Sequence, residues 1–181
     1  MIEKLRKKLM VLFLTCTMLI FTAAMLVMAG NAVSQIRSAE IQYGNNLADS
    51  ILDCDKFKSI NDTYGHAVGD KVIIAIADTL RKSCRDDDVV LRLGGDEFAV
   101  FIPGMLDKER AEAFFDRLFS NIEHIDIAEM NGKHILLSLG ACFYDGMDCI
   151  TFDQLYRRAD TAMYDSKKKQ GYSATIYDAK Q

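Results

Sequence analysis

Two hydrophobic patterns divide the chain. From Leu9 to Ala29 no side chain is charged. In helical form about 20 residues, at 1.5 Å each, cross the ~30 Å hydrocarbon layer of a membrane. A helix buried in a soluble core is rarely apolar on every side for so long. The run predicts a transmembrane helix within residues 1–30. A cleaved signal peptide is the other reading, since Val27-Met28-Ala29 supplies small residues, although such apolar regions usually run ~7–15 residues. Residues 31–49 form a polar connector with a broken stripe at Val33, Ile36, Tyr43 and Leu47, interrupted by Glu40. Gly44-Asn45-Asn46 is the expected break, and coiled-coil pairing of the connector stays open.

Beyond the connector the pattern alternates between short apolar runs and helical stripes. Ser50-Ile51-Leu52-Asp53-Cys54-Asp55 predicts a short strand ending in acids. Val72, Ile73, Ile76, Ala77 and Leu80 recur at helical spacing within 67–84, a stripe suited to core packing. Val89-Val90-Leu91 and Phe98-Ala99-Val100-Phe101-Ile102 predict two strands around Gly94-Gly95-Asp96-Glu97. Pro103-Gly104 closes the second strand, and Asp107 is the expected N-cap of a helix through Ile122, with Arg110 within reach. Asn131-Gly132 predicts a turn between a short strand near Ile125 and a longer one over 135–144. A last helix is expected over 152–169 and a closing strand over 174–177. Strands alternating with amphipathic helices give an α/β fold, one mixed sheet covered by helices.

The remaining composition changes this picture little. The 181 residues carry a net charge of -4, which gives no electrostatic case for a nucleic acid partner. Cys16, Cys54, Cys84, Cys142 and Cys149 are scattered and odd in number, without C-x-x-C spacing. Reduced thiols fit better than a disulfide frame or a zinc site.

The candidate chemistry lies in Arg92-Leu93-Gly94-Gly95-Asp96-Glu97-Phe98 and in the segment from Asp53 to Asp70. Glycine takes positive φ without steric cost, so the hairpin turn can hold Asp96 and Glu97 at the end of a rigid ribbon, where carboxylates can reach a metal. An ordinary solvated hairpin has the same local pattern. The segment Asp53-Cys54-Asp55-Lys56-Phe57-Lys58-Ser59-Ile60-Asn61-Asp62-Thr63-Tyr64-Gly65-His66-Ala67-Val68-Gly69-Asp70 stands at a matching distance upstream. Together the two blocks resemble the GGDEF family, the diguanylate cyclases, over roughly residues 50–181. Ala159-Asp160-Thr161-Ala162-Met163-Tyr164-Asp165-Ser166-Lys167 is similar to a further family pattern in the last helix.

The resemblance implies a palm-like sheet shared with nucleotide cyclases and polymerases, and the joining of two GTP into cyclic di-GMP with loss of pyrophosphate. It implies magnesium, two ions per site with manganese possible, held by Asp53, the Cys54 carbonyl, Asp96 and Glu97. Asp96 also matches the position that helps deprotonate the 3′-hydroxyl, although a metal-bound carboxylate is a weak base. Asn61 and Asp70 match the guanine readers; helix-end and N-cap roles are their bland alternatives. Lys58 and Lys167 match phosphate contacts, and a solvated lysine is the alternative for Lys58. Asp55 reads as strand-end solvation. The family's G-R-N after the last helix is replaced by Gly171-Tyr172-Ser173, which puts its arginine in doubt; Lys168 or Lys169 could substitute, or be a solvated face. Arg85 and Asp88 in Arg85-Asp86-Asp87-Asp88 fit the family's R-x-x-D inhibitory site for cyclic di-GMP.

One GTP per protomer implies a catalytic homodimer. The usual opening helix with its D-x-L-T-G-L-x-N-R signature is not found, and the first strand reads as at most its last half. This predicts a partial GGDEF domain over 50–181 behind a single-pass anchor in a bacterial inner membrane. GTP chemistry demands a cytoplasmic domain, whereas Lys4, Arg6, Lys7 and Lys8 ahead of the apolar run place the opposite end inside. A catalytically inactive receptor for cyclic di-GMP or GTP, and a non-functional fragment, are the alternatives to the enzyme.

Overall fold

The structure, a computed structural model, describes residues 47–105, 107–144, 151–169 and 171–178. The expected membrane helix at 9–29 and most of the connector fall outside these residues, as does the stretch from which the family's opening helix is expected to be missing. No helix among the described residues is long and apolar enough to cross a membrane.

The described elements run β1 (Leu47–Cys54), α1 (Phe57–Tyr64), α2 (His66–Ser83), β2 (Val89–Gly94), β3 (Glu97–Pro103), α3 (Lys108–Glu123), β4 (Leu137–Tyr144), α4 (Phe152–Lys167) and β5 (Ser173–Ile176). The strands form one sheet in the order β2-β3-β1-β4-β5. All neighbours pair antiparallel except β4 and β5, which run parallel, so the sheet is mixed as the pattern predicted. Rather than half a strand, β1 is an eight-residue central strand, paired along its length with both β3 and β4.

Alternation along the strands sorts side chains between two faces. Ala48, Leu52 and Cys54 of β1 join Phe98, Val100, Ile102, Leu137, Leu139 and Ala141 in one apolar core under α2 and α3. The stripe Val72, Ile73, Ile76 and Leu80 is buried there as the spacing predicted, with Phe114, Leu118 and Ile122 from α3. On the other face lie the buried Ile51, Ala99, Phe101 and Cys142, together with Leu155, Ala159, Ala162 and Met163 of α4. Gly140 lets α4 come close: a β-carbon there would stand 2.1 Å from both the Ala159 carbonyl oxygen and the Met163 nitrogen.

Local signals explain most boundaries. The Asp107 side chain accepts a hydrogen bond from the Glu109 amide at 2.9 Å, the predicted N-cap, worth about 1 kcal/mol. Arg110 lies 3.9 Å from the same carboxylate. Thr151 and Gln154 make a reciprocal capping box at the start of α4. That helix stops at Lys167 rather than 169, and β5 starts one residue earlier than expected. Near Ile125 no strand forms. The chain there runs irregularly into a single 3-10 turn, Ala128–Met130, burying Ile127 and Met130 without pairing. Asn131 and Gly132, both at positive φ, then make the predicted tight turn, closed by the Lys133 amide on the Met130 carbonyl at 3.1 Å. It leads into β4 without joining two strands.

Candidate active site

The register of the central strands assembles the site. Asp53, next to last in β1, stands directly across from Glu97, the first residue of β3. The Gly95-Asp96 turn is therefore brought against the end of β1, and the Cys54 amide donates to the Asp96 carbonyl at 3.3 Å. Gly95 has φ +53, the backbone the sequence assigned to a glycine at this tip. The Arg92 guanidinium braces the turn by donating two hydrogen bonds to the Gly95 carbonyl, at 3.0 and 2.6 Å.

From the opposite side α4 ends at Lys167, whose Nζ lies 2.9 Å from Oδ2 of Asp53. Asp53 is only 8% exposed. Burial raises its carboxyl above the ordinary carboxylate range; the Lys167 ion pair pulls it down and the charge of Asp96 pushes it up again, with a net upward shift. Glu97 is also raised, by burial and then by Asp53 and Asp96. Burial alone would depress the Lys167 ammonium, but Asp53, with help from Asp55 and Asp96, lifts it above its usual value.

Asp55 belongs to this group, contrary to the solvation role read from the sequence. Its carboxylate accepts from the Ser138 hydroxyl at 2.9 and 3.1 Å, and its amide donates to the Leu136 carbonyl. Burial raises its carboxyl, the Ser138 hydrogen bonds oppose this, and the net direction is upward. The signal available in the sequence was the D-x-D spacing at the strand end.

Asp53, Asp55, Lys56, Lys167, Lys168 and Lys169 line one open cavity of about 730 Å³, with Leu136 and Gly171. Lys56, not Lys58, is the lysine of the α1 entry that faces it; Lys58 is exposed on the first turn of α1. Lys56 adopts the left-handed conformation, φ 58 and ψ 28, as the N-cap of α1 without a capping side chain. Such a residue stores backbone strain of the kind often found at working sites. Lys168 pairs with Asp165 at 2.8 Å and Lys169 donates to the Thr175 hydroxyl at 3.0 Å. Tyr172, in place of the family's arginine, stacks its ring on Phe119 with centroids 5.4 Å apart.

The donor set fits a hard divalent cation. Four carboxylates, from Asp53, Asp55, Asp96 and Glu97, share this end of the sheet, and three of them are disfavoured as anions by their surroundings. Among the described residues no three His, Cys, Asp or Glu side chains close into a ready-made metal cage. Magnesium tolerates that, because it keeps waters and leans on one or two carboxylates plus substrate phosphates. Cys54 presents no reactive thiol: burial pushes it up to about 12, as it does Cys84, while Cys142 rises to about 11.

The other sequence-marked residues lie apart from the cavity. Asn61 is half-buried on α1 and Asp70 exposed near the start of α2. Arg85 and Asp88 form a turn, the Arg85 amide donating to the Asp88 carboxylate at 2.7 Å. They line a second cavity of about 290 Å³ with Arg110, Arg117 and Phe114.

Comparison with known proteins places the chain in a family and a fold. A family model described as diguanylate cyclase, GGDEF domain, matches residues 28–173. The chain is 38% identical over 131 residues to a probable diguanylate cyclase, DgcT, of Escherichia coli, covering 71% of this chain and 28% of that protein. It is 34% identical over 129 residues to the diguanylate cyclase TpbB of Pseudomonas aeruginosa, covering 71% and 29%. The chain thus spans less than a third of the length of these relatives. The crystal structure of the TpbB GGDEF domain superposes with a TM-score of 0.70 at 31% identity, covering 84% of this chain and 94% of that one. An active GGEEF domain of a diguanylate cyclase from Vibrio cholerae gives 0.69 at 27%, covering 78% and 88%.

Proposed function

The chain belongs to the GGDEF family of diguanylate cyclase domains, and from that premise we propose that it condenses two GTP into cyclic di-GMP as a homodimer, each protomer presenting one nucleotide. In each of two steps the 3′-oxygen of one GTP bonds to the α-phosphorus of the other. The bond from that phosphorus to the bridging oxygen breaks, pyrophosphate leaves and the 3′-oxygen gives up its proton. Such chemistry asks the protein mainly for alignment and for positive charge near phosphate oxygens.

The observation that carries this reading is the meeting of the β1 end, the hairpin tip and Lys167. Asp53, Asp96 and the Cys54 carbonyl would hold magnesium, with Glu97 beside them. What the ion supplies when bound is positive charge against the triphosphate. Lys167 offers its ammonium to phosphate from the Asp53 side, and Lys56 faces the same cavity. The exposed amides at the α1 N-terminus add a cradle for anionic oxygens, and Lys58 on the exposed first turn adds positive charge outside the cavity. Asn61 and Asp70 read the guanine edge: a carboxylate can accept from the ring N–H and the exocyclic amine together. Asp96 is a ligand first and a base for the 3′-hydroxyl second. Residues 9–29 anchor the domain in the inner membrane, with the catalytic part in the cytoplasm.

Incubating membranes that carry the chain with GTP and magnesium should yield cyclic di-GMP. Asp96→Ala should lower the rate by about a hundredfold or more. Product formation that survives this substitution would remove the enzymatic reading. A second reading is favoured by one feature, the cavity where Arg85 and Asp88 meet Arg110 and Arg117. Two further guanidinium groups beside that turn suit a phosphate-rich ligand, and we assign product feedback to it. Binding of cyclic di-GMP without turnover, lost in Arg85→Ala, would make the chain a receptor instead. Protease treatment of sealed vesicles tests the orientation of the domain.

A further inference from the structure

Gly69 lies inside α2, a regular helix, and does not adopt positive φ. Nothing in its backbone demands glycine, and glycine is among the poorest helix formers. Its surroundings supply the reason. A β-carbon at this position would lie 1.9 Å from Oδ1 of Asn61, 2.9 Å from its Cγ and 3.3 Å from Cζ of Phe57. The side-chain amide of Asn61 therefore occupies the space that any other residue at 69 would fill.

The contrast with Gly140 is informative. There the obstructing atoms belong to the α4 backbone, so an added methyl must move a helix. At Gly69 the nearest obstruction is the end of one flexible side chain, and the Phe57 ring need yield only slightly. The fold can accept a methyl at 69 by turning Asn61 aside. What the methyl removes is the position of the Asn61 amide.

We propose that Gly69 is a positioning residue for base recognition: the hydrogen in place of its side chain leaves the slot in which the Asn61 amide is held ready for guanine. This rests on the reading of Asn61 as a guanine contact. Asn61 sits on α1 and Gly69 on α2, joined through Gly65, whose amide donates to the Asn61 carbonyl at 2.9 Å and whose carbonyl accepts from the Gly69 amide at 3.2 Å. The backbone thus fixes the distance between the two residues, and the missing β-carbon fixes the amide within it.

The test uses the full chain with Gly69→Ala, Asn61→Ala and the double variant. Measured are the KM for GTP, inhibition by inorganic triphosphate (which carries no base) and the melting temperature. Gly69→Ala should raise the KM for GTP about tenfold, the scale of one lost hydrogen-bonding group. It should leave triphosphate inhibition as it was and the melting temperature unchanged or higher, since alanine favours the helix. Adding it to Asn61→Ala should change nothing further. A tenfold effect of Asn61→Ala with a wild-type KM in Gly69→Ala would overturn the positioning role and leave the guanine reading standing. A lowered melting temperature with GTP and triphosphate weakened alike would make Gly69 a packing residue and also overturn it. An Asn61→Ala chain with unchanged KM would remove the guanine reading itself, and this inference with it.

Discussion

The two faces of the sheet are built to different standards. Under α2 and α3 the core is almost wholly apolar, with Val72, Ile76, Leu80, Leu118 and Ile122 enclosed and one small polar exception, the buried Ser50 hydroxyl, which has no hydrogen-bond partner. The face that meets α4 contains a glycine in contact with helix backbone, the Asp53–Lys167 pair and a second buried acid, Asp49. Asp49 is 0% exposed and neither carboxylate oxygen has a hydrogen-bond partner. Its register neighbours are Phe101 and Cys142, neither of which offers a good donor to a carboxylate. One face supplies stability, while the other gives some of it up to enclose acidic side chains. A polar group without partners inside a protein is costly, so the second face is where the molecule can be most improved or most easily broken.

The largest effect should come from Asp49. Burial raises its carboxyl from 3.8 to about 7, which corresponds to roughly 4 kcal/mol. The unfolded chain loses this proton near pH 4 and the folded chain keeps it to about pH 7. The folded state therefore binds more protons across that window, and stability falls as pH rises through it. Asp49→Leu should raise stability by roughly 4 kcal/mol at pH 8 and lose that advantage by pH 4. Melting curves of the two chains across this range measure the difference; a gap independent of pH would sink the account.

A smaller loss is expected where α4 touches the sheet. Gly140→Ala drives a methyl into the backbone at Ala159 and Met163, and overpacking of this kind costs about 1–3 kcal/mol. Because the same helix carries Lys167 to Asp53, the proposed cyclase turnover should fall further than the stability change accounts for. Urea unfolding and turnover measured together would show it, and equal losses in both would detach α4 from the chemistry.

The smallest change belongs to the apolar face. Ile76→Val removes one buried methyl group from the α2 stripe and should cost about 1 kcal/mol. That loss should be the same at pH 4 and pH 8 and leave the KM for GTP untouched. A pH-dependent penalty there would erase the distinction between the faces.

By itself the sequence determined most of the elements and which side chains stand at their ends. Period-2 and helical spacing encode which side of an element a residue takes, so the α2 stripe, the Gly94-Gly95 hairpin, the Asp107 cap and the Asn131-Gly132 turn were all legible. The strand expected near Ile125 was not there, because an apolar run can be buried in irregular chain without pairing. Only the tertiary structure decided what depends on register and docking. It set Glu97 opposite Asp53, brought Ser138 to Asp55, delivered Lys167 across the sheet and enclosed Asp49 without partners. Spacing along a chain records the direction a side chain takes from its own backbone; which distant residue it meets there is fixed only when strands align and helices settle on them.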